Sequence, residues 1–191
     1  QLYYGQTAPP KIAALPGMWE RTLTVGSAGK TFGVTGWRVG WLVGPPSLIA
    51  PVLAVHSRTV FTAPTPLQEA AARAFRGAAD RDYFAATRDE YRRKRDYLIT
   101  ALCDLGIPAT VPEGGYFVLA KTAELAARLP LPPSQPWAEQ GGAVPEPPDY
   151  TVARYFTETV GVAAIPPSAF YLDPMAPGED GNRPCDYLRL C

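Results

Sequence analysis

Ser27-Ala28-Gly29-Lys30-Thr31-Phe32, followed by Gly36-Trp37-Arg38-Val39-Gly40-Trp41, is the stretch on which the reading of this chain turns. A hydroxyl stands three residues before the lysine and a guanidinium eight residues after it. The glycines let the backbone come close to a ligand. Upstream, Thr22-Leu23-Thr24-Val25 alternates and is β-branched, which predicts a strand running into a turn that carries the lysine. Downstream, Arg38 to Val43 predicts the next strand, ended by Gly44-Pro45-Pro46. Both strands are apolar with little polar alternation, so they belong to a sheet covered on both faces. Lys30 is expected in a buried neighbourhood, and the apolar faces of Val25, Val39 and Leu42 are expected to need a cover.

Lysine is the side chain that makes imines with aldehydes. A hydroxyl, exposed backbone N–H groups and an arginine are what a phosphate needs. One cofactor joins an aldehyde to a phosphate: pyridoxal 5′-phosphate, which binds lysine as a Schiff base. Three other readings compete. A P-loop would need glycine where Thr24 stands. A Ser-x-x-Lys acyl-enzyme would want Ser-Asp-Asn and Lys-Thr-Gly elsewhere, and the nearest match is Lys121-Thr122-Ala123. A solvated lysine in a Gly-rich turn is the default for a lone Lys, and the apolar residues on either side weigh against it.

Leu15 through Phe32, running on to Gly44-Pro45, resembles the kynurenine aminotransferase and cysteine-conjugate β-lyase branch of the class I and II aminotransferases. The similarity continues through Thr65-Pro-Leu-Gln-Glu-Ala70, Pro112-Glu-Gly-Gly-Tyr-Phe117, Ala164-Ile-Pro-Pro-Ser-Ala-Phe170 and Asp186-Tyr-Leu-Arg-Leu-Cys191. The resemblance implies an α/β fold of the type I pyridoxal-phosphate transferases: a partial large domain over residues 1–90 and a small α+β domain over 91–191. It implies Lys30 as the Schiff-base lysine and proton shuttle, with Ser27 and Arg38 at the cofactor phosphate. It implies Arg189 at the substrate carboxylate, and Phe61 and Thr62 on a loop toward the partner subunit of a homodimer. The implied reaction is transamination between an aromatic, kynurenine-like L-amino acid and a 2-oxo acid. A cysteine-conjugate β-lyase and a non-catalytic truncated piece are the alternatives. In the family the residues that hold the pyridine ring lie upstream of the lysine, so the expectation is the carboxy-terminal half of such an enzyme, stopping short of the family's last strand and helix.

Composition narrows the rest. Lys+Arg and Asp+Glu are both 18, which leaves no basic excess for nucleic acid, and no polybasic tail argues for a membrane surface. No apolar run approaches the ~20 residues of a membrane span. Cys103, Cys185 and Cys191 lack metal or redox spacing and are odd in number, so no metal site is expected and reduced thiols fit best. That points to a cytoplasmic protein, with a mitochondrial one as the alternative.

Along the chain, Ser47 is placed to cap a helix to about Arg58, and Thr65-Pro66 opens a second that Gly77 should stop. Residues 83–104 predict a long charged helix whose Arg92, Arg93, Lys94 and Arg95 spread around a solvated face. Strands are expected at 115–120, 162–165 and 187–190, and a helix at 149–160 closed by Gly161. The Pro/Gly-rich insertion 129–149 predicts an exposed loop. His56 is expected to pack rather than catalyse, Tyr116 and Phe117 to lie in the core, and Trp37 and Trp41 to surround Arg38. Arg189 in an apolar strand needs an anion. From the residues alone, a ligand carboxylate and an internal salt bridge are equal alternatives.

Overall fold

The computed structural model describes residues 2–5, 9–137, 141–142 and 144–191. They fall into two compact units, Gln1–Glu90 and Tyr91–Cys191. In the first unit, β1 (Thr24–Ser27) pairs antiparallel with β2 (Gly40–Val43), from Thr24↔Val43 to Ser27↔Gly40. Both strands start later than their β-branched pattern predicts. Arg38 is not in a strand: Thr35–Trp37 forms a 3-10 turn and Arg38 itself is left-handed, with φ 56°. Val25 and Val43 are exposed, so within this chain the sheet is not covered on both faces. Val39, expected to be bare, is buried against Ala28 and Ala71. Trp37 joins that cluster, and Trp41 lies across Gly26 and edge-on to Phe75 at 5.1 Å. Trp37 therefore packs on the core, and the exposed Trp41 on Gly26 and Phe75, rather than around Arg38.

Helix α2 (Pro46–Thr59) starts from Pro45 with no side-chain cap, so Ser47 does not cap it. Proline in a helix's first turn forfeits only an N–H that has no partner anyway. From Ala50 to Thr59 every residue of α2 is exposed, His56 included. Helix α3 (Thr65–Asp80) runs through Gly77, and burial of Ala71 and Ala78 on its inner face outweighs the ~1 kcal/mol that a helical glycine costs. Phe32 stacks edge-on to Phe75 at 4.8 Å and tilted on Tyr83 at 5.5 Å, which fastens the lysine segment to α3. The Tyr83 hydroxyl also donates to Thr31 O at 3.4 Å.

Helix α4 (Tyr83–Asp104) has the expected bounds. In the second unit, β3 (Val118–Lys121) pairs antiparallel with β4 (Tyr187–Leu190), and short α5 (Ala123–Ala126) follows β3. Leu102 of α4 is buried with Val118 and Ala120. Val152 and Ala153 of α6 (Pro148–Tyr155) are buried with Leu188. Helix α6 widens into a π-turn over Phe156–Val160, which Gly161 closes at φ 78°. The strand expected at 162–165 is reduced to one bridge, Ile165↔Arg189. The insertion is more ordered than its composition suggests. Pro136 bridges Pro145, and Trp137 is buried and stacks on Tyr150 at 6.0 Å. Residues 138–140 and 143 of that loop lie outside the described ones.

Candidate active site

Ser27, Lys30 and Arg38 line one open cavity of about 220 Å³, together with Gly29, Thr35 and Gly40. Ser27 ends β1, and Lys30 sits on the single-turn helix α1 (Ala28–Thr31). Three bonds hold that turn: Ala28 N–H donates to Val39 O (3.0 Å), Phe32 N–H to Ala28 O (2.9 Å), and the Thr31 hydroxyl to Ser27 O (2.9 Å). Glycine is required where backbones meet. A Cβ on Gly29 would stand 2.9 Å from Thr35 Cα, and one on Gly40 would stand 2.7 Å from Gly26 O. The left-handed backbone at Arg38, an arrangement costing about 1–2 kcal/mol for a residue with a Cβ, turns the guanidinium back until Nη1 donates to Thr35 O at 3.4 Å.

The cavity lining holds two cations and two hydroxyls and no acid. Among the described residues no carboxylate pairs with Lys30 or Arg38. An unneutralised pair of cations beside hydroxyls selects an anion, and a phosphate most readily. Lys30 is exposed, contrary to the buried neighbourhood its apolar flanks suggest. Those flanks, Ala28 and Phe32, point to α3 instead.

In the second unit, Arg189 occupies the middle of β4. Its guanidinium carbon lies 4.3 Å from the Phe117 ring and 4.8 Å from the Phe170 ring. The buried Nε has no acceptor among the described residues, and no carboxylate there pairs with the side chain. The internal salt bridge that the sequence left open is therefore absent among them. Phe117 is exposed and serves as one wall of this arginine, not as core; Tyr116 is half-buried beside it at 4.7 Å.

Phe61 and Thr62 follow α2, are exposed, and do not line the Lys30 cavity. Phe61 is left-handed at φ 69°. Thr35, Phe117 and Phe170 escaped the sequence reading as site residues. The last two lie inside Pro112–Phe117 and Ala164–Phe170, the stretches that carried the resemblance, and that is the signal that could have found them. Among the described residues no cluster suits a metal ion, and no helix is long and apolar enough to cross a membrane.

A family model described as aminotransferase class I and II matches residues 2–181. The kynurenine–oxoglutarate transaminase of Dictyostelium discoideum is 41% identical over 163 residues, covering 85% of this chain and 37% of that protein. Human kynurenine–oxoglutarate transaminase 1 is 37% identical over 185 residues, covering 94% of this chain and 41% of that protein. Among solved structures, Bna3p from Saccharomyces cerevisiae superposes with a TM-score of 0.82 at 32% identity, covering 98% of this chain and 42% of that one. The chain thus spans about two fifths of the length of these relatives.

Proposed function

The chain belongs to the class I and II aminotransferase family, and on that premise we propose that its protein transfers the amino group of an aromatic, kynurenine-like L-amino acid to a 2-oxo acid with the help of pyridoxal phosphate. The observation that carries the reading is the acid-free cavity that gathers Ser27, Lys30 and Arg38. These residues fit the cofactor. Arg38 and the Ser27 hydroxyl suit its phosphate, and the exposed Lys30 amine suits its aldehyde carbon. When bound, pyridoxal phosphate supplies an electron sink for the substrate.

The chain's own residues do the rest. Lys30 Nζ takes the proton from the substrate Cα and later returns one, acting as base and then acid. No carboxylate among the described residues holds its ammonium in an ion pair. Arg189 receives the substrate α-carboxylate. Phe117 and Phe170 cover the guanidinium, which leaves its N–H edge for a bidentate bond with a carboxylate. The first unit is the cofactor-binding part of the large domain and the second the small domain. The exposed Phe61–Thr62 loop serves the partner's site in a homodimer. The three free thiols suit the reducing cytoplasm.

Borohydride reduction of the cofactor-loaded protein, followed by peptide mapping, tests the assignment. One pyridoxyl group is expected on Lys30. A label on Lys11, Lys94 or Lys121 instead overturns it.

A further inference from the structure

The geometry points to Asp149 as a positioning residue for Arg189, acting through the Ile165–Phe170 strap; this rests on the reading of Arg189 as the carboxylate-binding residue. Three anchors define the strap. At one end Ile165 exchanges both backbone bonds with Arg189, at 3.1 and 2.9 Å. In the middle, Ser168 gives its amide N–H to Asp149 Oδ2 at 2.9 Å and its hydroxyl to Oδ1 at 2.8 Å. At the far end Phe170 lays its ring against the Arg189 guanidinium. The strap therefore touches Arg189 twice, once at the backbone and once at the side chain, while its centre is fastened to the first turn of α6.

Asp149 and Ser168 are 0% and 1% exposed, so no bulk water competes for these bonds. Asp149 lies inside the first turn and is not the N-cap, which is Pro147, so capping does not account for such burial. Only one of the three donors to Asp149 belongs to its own helix, the Tyr150 N–H at 3.1 Å. The two shorter bonds come from the strap. Pro166 and Pro167 fix φ on the way into the 3-10 turn Pro167–Phe170. A shift at Ser168 is therefore passed to Phe170 rather than absorbed. Without the Asp149 anchor, Phe170 leaves the guanidinium, and Arg189 gains rotamers it must give up when the substrate binds.

The test uses the full-length, cofactor-loaded protein with Asp149→Asn and Ser168→Ala. Each is assayed with an aromatic amino acid and with the corresponding amine that lacks the carboxylate. We expect KM for the amino acid to rise about tenfold with kcat little changed, as when a binding group is displaced without touching the chemistry. Cofactor absorbance and kcat/KM for the amine should not move. In an Arg189→Gln background neither change should add a further loss, because the pair acts through one group. An unchanged amino-acid KM, or equal losses for amino acid and amine, overturns the inference. If Asp149→Asn does not fold, Ser168→Ala decides alone, since it removes one hydroxyl and no charge. If Arg189→Gln itself leaves the amino-acid KM unchanged, the arginine reading falls and this inference with it. If Arg189→Gln raises KM and the strap variants do not, only the inference falls.

Discussion

Arg154 on α6 reaches back to Glu146 at 2.7 Å, and the two side chains are only 17% and 8% exposed. The same carboxylate accepts the Thr151 hydroxyl at 2.9 Å and the Gln135 N–H at 3.3 Å, while Arg154 Nη2 also donates to Pro133 O at 3.1 Å. One half-buried ion pair thus fastens both arms of the proline-rich insertion to a helix. Glu146→Ala leaves the half-buried Arg154 without its carboxylate and is expected to cost about 2–3 kcal/mol, above the surface-pair range and below the roughly 3–5 kcal/mol of a fully buried pair. Urea unfolding of the protein measures it. A cost under about 1 kcal/mol, the surface-pair range, would mean the insertion is not held this way.

Arg38→Ala and Ser27→Ala should each weaken pyridoxal phosphate binding while leaving borohydride labelling of Lys30 intact at saturating cofactor. Lys30→Ala should do the reverse, abolishing the label and transamination but retaining part of the affinity through the phosphate side. Equilibrium dialysis of each variant separates the two behaviours. Equal affinity in wild type and Arg38→Ala would remove the guanidinium from the phosphate.

Arg189→Ala should lower kcat/KM for amino acids by roughly 2–5 kcal/mol, the range for removing one partner of a desolvated charge pair. Amines without a carboxylate should react nearly as before. Equal loss for both substrate classes would assign Arg189 a structural role.

Burial pushes the Asp149 carboxyl above the ordinary carboxylate range, with the Ser168 N–H and hydroxyl pulling the other way. The fold therefore favours its neutral form relative to the unfolded chain. The stability this supplies is complete below the ordinary carboxylate pKa of about 4 and is lost as pH rises through the raised value. Asp149→Asn cannot titrate, so its stability relative to wild type should climb with pH across that window. Parallel stability–pH curves for the two proteins would refute the shift.

Where local chemistry decided the backbone, the sequence was legible. The bounds of α4 and β4, and the close of the π-turn at Gly161, follow from helix composition, apolar alternation and the freedom of glycine at positive φ. Where packing decided it, the sequence misled. Arg38-Val39 reads as strand, yet Val39 must reach Ala28 and Ala71, and the chain gets there only through a left-handed arginine. Phe117 reads as core because its guanidinium partner is 72 residues later in the chain. Proline density reads as a bare loop over 129–149, and neither the Glu146–Arg154 pair nor the burial of Trp137 leaves a periodic trace. That Ser27, Lys30 and Arg38 share one cavity was legible because residue types and spacing, not burial, single them out.

Helix α2 buries almost nothing of its own, with Leu53 62% and the following Phe61 81% exposed, and Pro51 removes one of its internal hydrogen bonds. A helix of that length without tertiary support is marginal in water. Its amides should therefore exchange with solvent well before those of α3, which shares the Ala28–Val39 cluster. Whatever surface covers Val52, Leu53 and Val55 becomes part of the equilibrium that orders this helix. Association and the last step of folding would then be one thermodynamic event, and the affinity for that surface would carry the ordering entropy of α2 within it.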